Sequence, residues 1–400
     1  MSMATTITAA GLNRTGRWLE EPGFGVYVHI PFCLHRCHYC DFNTYASKEA
    51  SGAQEVHGPY VDALVADIER HGAGNGPATS VFFGGGTPTL LPARDLGRIL
   101  DAVRASVGIA ADAEITVEAN PETVDERYFE ALLTTGFNRV SIGIQSLVPR
   151  VLLGLGRTHS PEVALTALAA ARRAGVPDVN ADLIYGSQWE EPADWRTSLE
   201  GVIEAAPDHI SAYALTIEAG TPLATLVTTG RAPDVDPDVQ ADRYEVAGEL
   251  LGAAGFERYE ISNWARPGRA SAHNVLYWSA GDYLGFGAGA HGHLDGTRYW
   301  SVRLPRDYIE AASQGRSPEA GRETLEPPER AAEALMLGVR LAGGIDLDAF
   351  AHRWGSEALA RSLPEIARLE ADGLLERAGG WLRATPRGTF LASEIGCRLL

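Results

Sequence analysis

Six β-rich runs, each followed by an amphipathic stretch, restrict what this chain can fold into. The runs are residues 25–30, 80–83, 114–118, 139–145, 178–185 and 209–216. Between them, residues 60–70, 96–106, 125–134, 164–174 and 195–205 carry apolar side chains at three- and four-residue spacing, the period of a helix with one buried face. Strands that alternate with helices predict crossover units and a parallel sheet. Six strands are too few to close an eight-stranded barrel. The expectation is therefore an α/β fold, a partial (β/α)6 TIM-like barrel over residues 23–218.

The remainder divides by pattern. Residues 1–22 read as an N-terminal extension and 219–304 as an extension of the barrel. Within the latter, the acidic, proline-broken stretch 234–238 reads as a linker before a helix over 239–254. Residues 305–400 read as a small, mainly helical, winged-helix-like domain. Its helical patterns lie at 331–341, 347–354 and 358–371, followed by a hairpin-like stretch at 373–385 that turns at Gly379-Gly380.

Charge and hydropathy exclude several classes. The formal net charge is −18, with 34 Lys+Arg against 52 Asp+Glu, which opposes a nucleic-acid grip or a polybasic membrane contact. Lys48 is the only lysine, so the positive charge is almost all arginine. No stretch reaches the ~20 apolar residues of a membrane-spanning helix, and residues 1–21 lack the long apolar stretch of a signal peptide. A cytoplasmic protein is expected. Of four cysteines, Cys33, Cys37 and Cys40 fall within eight residues, and Cys397 stands apart as a spare thiol. Four cysteines in so long a chain are not a disulfide framework; the cluster points to metal or redox chemistry.

The ends of the β-rich runs carry the chemistry. The three cysteines follow the first run, Gly84-Gly85-Gly86-Thr87-Pro88 the second and Glu118-Ala119-Asn120-Pro121 the third; the fourth closes with Gln145-Ser146, and the fifth carries Asp182. In parallel α/β barrels the working face lies at the carboxyl ends of the strands, so these groups should meet in one site. Three thiolates at C-x3-C-x2-C spacing suit an iron–sulfur cube with one iron lacking a protein ligand. The alternative is a zinc site of three cysteines and one of His29, His35 or His38.

The run Tyr27-x-His29-Ile30-Pro31-Phe32-Cys33-x3-Cys37-x-Tyr39-Cys40, followed by GGGTP, resembles the radical S-adenosylmethionine (SAM) superfamily, and within it the oxygen-independent coproporphyrinogen III oxidase family. The resemblance implies a [4Fe-4S] cluster on Cys33, Cys37 and Cys40, with SAM on its open iron. It implies contacts to SAM from Tyr27, Gly85 and Glu118. It also implies that Gly86, Thr87, Gln145, Arg157, Asp182 and Tyr39 line a second SAM or the space beside the first. A carboxylate such as Glu118 suits ribose hydroxyls, and Arg157 suits a methionine carboxylate. Taken singly, the glycines could form a turn, Glu118 a helix-capping acid and Arg157 a surface ion pair.

Two features depart from the oxidase pattern. Phe42 stands where the oxidases carry a further cysteine, and only about two dozen residues precede the first β-rich run, with no long covering segment. Instead, His273-Asn274-Val275-Leu276-Tyr277-Trp278 resembles the signature of the HemW branch, the haem chaperones. That resemblance implies haem as a ligand, His273 as its axial ligand, and Asn274, Tyr277 and Trp278 beside it. Asn263-Trp264, Tyr283, His291 and His293 are secondary candidates. It further implies transfer of haem to apo-haem proteins, respiratory enzymes at the membrane among them, reached peripherally. Whether the cluster and SAM are structural, regulatory or catalytic stays open. Two alternatives stand beside this reading: a coproporphyrinogen III dehydrogenase, and a zinc-stabilised interaction protein.

Overall fold

The computed structural model describes Arg14, residues 16–46 and residues 53–400. Most of the expected N-terminal extension, and Lys48, lie outside the described residues. Six parallel strands form the centre of one sheet: β1 (Phe24–Ile30), β2 (Ala78–Gly85), β3 (Ile109–Ala119), β4 (Arg139–Gln145), β5 (Asp178–Tyr185) and β6 (His209–Ala214). Helices Ala53–His71, Ala93–Ser106, Glu126–Thr135, Pro161–Ala174 and Pro192–Glu204 connect them in turn.

Period-two alternation explains why these strands take two different environments at once. Val26, Val28, Ile30, Val81, Phe83, Ile115, Val117, Val140, Ile142, Val179, Ala181 and Ile210 join one core beneath the helices. The intervening residues are polar and buried on the opposite face: Ser80, Glu114, Thr116, Arg139, Ser141, Asp178, Asn180, His209 and Ser211. Buried polar groups need partners, and these supply one another. Asn180 Nδ2 donates to Ser141 Oγ at 2.7 Å and to Asp182 Oδ1 at 2.8 Å, while Ser141 Oγ donates to Asp182 Oδ2 at 2.8 Å.

The amino end of the barrel is sealed by the helix Ala272–Trp278. Glu114 accepts hydrogen bonds from the backbone N–H groups of Ala272 and His273, at 2.9 and 3.1 Å, and from Ser271 Oγ at 3.0 Å. A carboxylate at a helix N-terminus meets unpaired donors and the positive end of the dipole. Arg14 and Arg139 flank Glu114, and Arg14 also pairs with Asp178. Burial would raise the Glu114 pKa, but the two guanidinium groups and the helix N–H donors outweigh it and hold the carboxyl below its ordinary range. The expected carboxyl-end site is thereby left as the open mouth.

The sheet is wider than six strands, because residues beyond 218 add to both edges. Their strands are β7 (Glu257–Arg258), β8 (Asn263–Ala265), β9 (Asp282–Phe286), β10 (His291–Leu294), β11 (Thr297–Ser301) and β12 (Glu319–Thr324). The order across the sheet is β12-β11-β10-β9-β1-β2-β3-β4-β5-β6-β8-β7, with β9 parallel to β1 and the outer strands antiparallel. The glycine-rich run 285–292 forms the end of β9, a tight connection and the start of β10. A Cβ on Gly285 would lie 1.9 Å from the carbonyl oxygen of His291, so only glycine lets the two backbones close here.

From Pro327 on, a second core forms from Leu335, Phe350, Ile366, Leu369, Leu375, Leu382 and Ile395, joined by Trp18 and by Val275 of the sealing helix. Helices Pro327–Gly338, Leu347–Trp354, Ser356–Ala371 and Ala392–Leu399 surround a hairpin of Leu375–Ala378 and Trp381–Ala384, to which Ile345–Asp346 adds. No helix among the described residues is long and apolar enough to cross a membrane.

Candidate functional site

The loop after β1 is pinned at both ends and at its middle. Phe32–Cys33 pairs in parallel with Tyr45–Ala46, and His38 binds the Leu155 carbonyl through its backbone N–H and the Gly154 carbonyl through Nδ1, both at 3.0 Å. This holds Cys33, Cys37 and Cys40 on one cavity of about 410 Å³. Tyr39, Gly85, Gly86, Thr87, Glu118, Gln145, Arg157 and Asp182 line the same cavity. Residues separated by up to 149 positions in sequence meet there because they stand in, or follow, the carboxyl halves of the parallel strands. Among the described residues, no three His, Cys, Asp or Glu side chains converge closely enough to hold a single metal ion. His29 and His38, two of the histidines considered for zinc, spend ring nitrogens on Tyr27 OH and the carbonyls of Asn43 and Gly154.

A chain of hydrogen bonds links two of the thiols. Arg157 donates through one terminal nitrogen to Cys37 Sγ at 3.5 Å and through the other to Asn120 Oδ1 at 2.7 Å; Asn120 Nδ2 donates to Thr87 Oγ1 at 3.0 Å, and Thr87 Oγ1 to Cys33 Sγ at 3.7 Å. Among the described residues, the buried Arg157 Nε has no hydrogen-bond partner. Burial pushes the Cys33 thiol up to about 12 and raises that of Cys40. The thiolate forms would therefore need a bound cation and the nearby guanidinium to be stabilised. A sulfur-rich donor set of this kind, with Cys33 buried and Cys37 and Cys40 half-buried, fits an iron–sulfur group.

Glu118 faces this cavity and accepts a hydrogen bond from the Gly85 N–H at 3.0 Å. Burial, then the neighbouring Asp182 charge, pushes its carboxyl up to about 7. Gln145 closes β4 at φ 64°, a left-handed conformation beside a register shift between Gly143 and Gln145; such strain concentrates at functional sites. The triple glycine has an internal reason as well as a ligand-facing one. A Cβ on Gly86 would stand 2.6 Å from the Phe32 carbonyl oxygen and 2.8 Å from that of Ile30, so β2 can lie against the cysteine loop only without side chains. Ser141, Gly143 and Tyr213 also line the cavity and were not singled out from sequence. The signal was available, since each continues the inward-facing alternation of its strand.

A second cavity of about 730 Å³ adjoins the first, sharing Phe42, Gly85 and Glu118 with it. Tyr27, Tyr277, Tyr283, His291, Trp300 and Arg303 supply its rings and charge. Of the sealing helix's motif, only Tyr277 reaches this cavity. His273 is 2% exposed, with Nδ1 bonded to Ser80 Oγ and Nε2 to Tyr277 OH, both at 2.8 Å. Burial lowers its pKa to about 4, which keeps the imidazole neutral. Asn274 donates to Tyr259 OH at 3.0 Å, and Trp278 packs beneath the Arg340 guanidinium at 5.3 Å. Both nitrogens of His273 are thus engaged within the protein in this structure, and the ring implied as an axial haem ligand does not reach the cavity. The secondary candidates divide: Tyr283 and His291 line the cavity, His293 pairs with Asp282 at 3.0 Å, and Asn263 and Trp264 are buried in β8.

Residues 27–200 match the radical SAM superfamily and residues 325–391 the HemN C-terminal domain. The chain is 42% identical over 379 residues to the heme chaperone HemW of Mycobacterium tuberculosis, covering 94% of this chain and 95% of that protein. It is 36% identical to the heme chaperone HemW of Escherichia coli, over 94% and 98% of the two chains. Among solved structures, coproporphyrinogen III oxidase from Escherichia coli, a radical SAM enzyme, superposes with a TM-score of 0.79 at 22% identity, covering 97% of this chain and 91% of that one. That likeness fixes the fold, while the identity to the former proteins, over nearly their whole length, fixes the family: the chain belongs to the HemW family of radical SAM proteins.

Proposed function

We propose that this protein binds haem beside a three-cysteine [4Fe-4S] cluster and hands it to apo-haem proteins, respiratory enzymes at the membrane among them, from the cytoplasmic side. The relatives named as heme chaperones support the cargo. The observation that carries the reading is the shared wall: an aromatic cavity of about 730 Å³, within the range of about 300–1,000 Å³ usual for ligand sites, abuts the cavity of the cysteines through Phe42, Gly85 and Glu118.

In this reading Cys33, Cys37 and Cys40 hold the cluster, whose spread-out donors suit a cube better than a single zinc ion. Tyr27, Gly85 and Glu118 contact SAM; Tyr39, Gly86, Thr87, Gln145, Arg157 and Asp182 complete its surroundings. When bound, a cluster with SAM supplies one-electron chemistry. The protein's own residues hold the thiols, exclude water and offer Glu118 to hydroxyl groups. In the haem cavity Tyr277 provides a wall, and His273 and Asn274 fix the helix that carries it, with Trp278 packed behind.

The test is an anaerobic haem titration of reconstituted protein, followed by mixing with an apo-haem protein. Saturable binding and transfer are expected. Absence of both, or conversion of coproporphyrinogen III to protoporphyrinogen with SAM and reductant, would overturn the proposal.

A further inference from the structure

We propose that His291, on β10, is the axial haem ligand and that Arg303 receives a haem propionate; this rests on the haem reading above. Four observations converge. First, His273, the histidine of the motif, has both nitrogens engaged within the protein and is almost wholly buried. Metal ligation by it would require breaking a buried hydrogen bond, which leaves Ser80 or Tyr277 without its partner.

Second, His291 is exposed on the second cavity, and among the described residues neither of its ring nitrogens has a hydrogen-bond partner. Its ring lies stacked on Trp300, with centroids 6.0 Å apart and planes at 29°. His293, two residues on along the same strand, is held by Asp282. An imidazole with an unengaged ring nitrogen is what haem iron takes.

Third, the backbone that presents His291 is rigid. His291 pairs with Trp300 across β10 and β11, and Gly285 lets β9 close against its carbonyl. The connection before it is tied down from below: Tyr308 OH accepts from the Gly287 N–H at 3.2 Å, and Tyr60 OH from the Ala288 N–H at 2.8 Å. Ligand sites need such support to hold their geometry.

Fourth, Arg303 lines the same cavity and has no carboxylate partner among the described residues; its closest side-chain contact is Nε to Asn43 Oδ1 at 3.4 Å. A guanidinium left free beside aromatic walls suits a carboxylate in bidentate fashion. Tyr27, Tyr277, Tyr283 and Trp300 then offer faces to the macrocycle.

The experiment is a hemin titration of full-length wild type, His291→Ala, Arg303→Ala and His273→Ala, followed by Soret absorption and by spin-state EPR, with circular dichroism confirming the fold. His291→Ala should lose the wild-type Soret position and ferric EPR signal and bind hemin at least about tenfold more weakly. Added imidazole should restore the band. Iron-free protoporphyrin IX should quench tryptophan fluorescence equally in wild type and His291→Ala, because the walls remain. Arg303→Ala should weaken hemin binding yet leave the affinity for hemin dimethyl ester unchanged. A wild-type Soret band and affinity in His291→Ala, or their loss in a folded His273→Ala that imidazole restores, overturns the assignment. A wild type with no saturable hemin binding overturns the haem reading itself.

Discussion

The guanidinium of Arg157 bridges Cys37 Sγ, at 3.5 Å, and Asn120 Oδ1, at 2.7 Å, and so ties the cysteine loop to the end of β3. The charge lies beside a thiol that must ionise to bind metal. Arg157→Ala should leave the chain folded but lower the iron and labile sulfide retained after anaerobic reconstitution by more than about half, with Arg157→Lys between it and wild type. Stoichiometric cluster in Arg157→Ala would show that the guanidinium does not support the thiolates.

Glu118 makes the ligand-free protein sensitive to pH. Its folded pKa of about 7 lies above its ordinary 4.5, raised by burial first and by Asp182 second. The folded state therefore holds a proton that the unfolded chain releases, and this group's contribution to stability falls as pH rises from about 4.5 to about 7. Glu118→Gln keeps an acceptor for the Gly85 N–H and removes the charge. In urea unfolding without SAM it should exceed wild type in stability at pH 8, by up to roughly 3 kcal/mol, and by much less at pH 5. Equal differences at both pH values would refute the shift.

Glu114 has the opposite sign. Arg139 and Arg14 hold its carboxyl below the ordinary range despite burial, so its stabilisation is present above the unfolded pKa and is lost as pH falls through the folded one. Glu114→Ala removes the acceptor of the Ala272 and His273 N–H groups and leaves Asp178 as the one carboxylate paired with Arg139 among the described residues. A loss of roughly 3–5 kcal/mol is expected at neutral pH, read from the urea midpoint; a loss under about 1 kcal/mol would contradict it.

Gly86 is held by backbone, not by a flexible side chain. Its missing Cβ would stand within 2.8 Å of the carbonyl oxygens of both Phe32 and Ile30. Gly86→Ala should therefore push the cysteine loop off β2, costing roughly 1–3 kcal/mol and lowering cluster retention. Full retention at unchanged thermal midpoint would remove this role.

Much of this architecture was legible in the sequence, for a physical reason. Each barrel strand must satisfy an apolar outer face and a polar inner one, so β4 reads Arg139, Ser141, Gly143 and Gln145 inward against Val140, Ile142 and Ile144 outward. The same alternation brought Glu118 and Asp182 toward the cysteines. The start of β3 was not legible, because Ala110 to Ala113 carry little β preference and lie in an irregularity of the pairing with β2, between the paired Ile109 and Glu114. The edge strands β7 to β12 are short or glycine-rich, and their pairing depends on neighbours distant in sequence. Nor can a sequence show that both nitrogens of His273 are taken while those of His291 stand open. That distinction depends on where Ser80 and Tyr277 arrive in three dimensions.

The most direct test of two adjoining sites compares wild type with the triple variant Cys33→Ala, Cys37→Ala, Cys40→Ala after anaerobic reconstitution and haem titration, with iron, zinc and sulfide analysed in both. Wild type should carry about four irons and four labile sulfides together with saturable haem, and the triple variant should lose the sulfide while still binding haem. Stoichiometric zinc without sulfide in wild type, or haem binding that vanishes with the cysteines, would contradict the account.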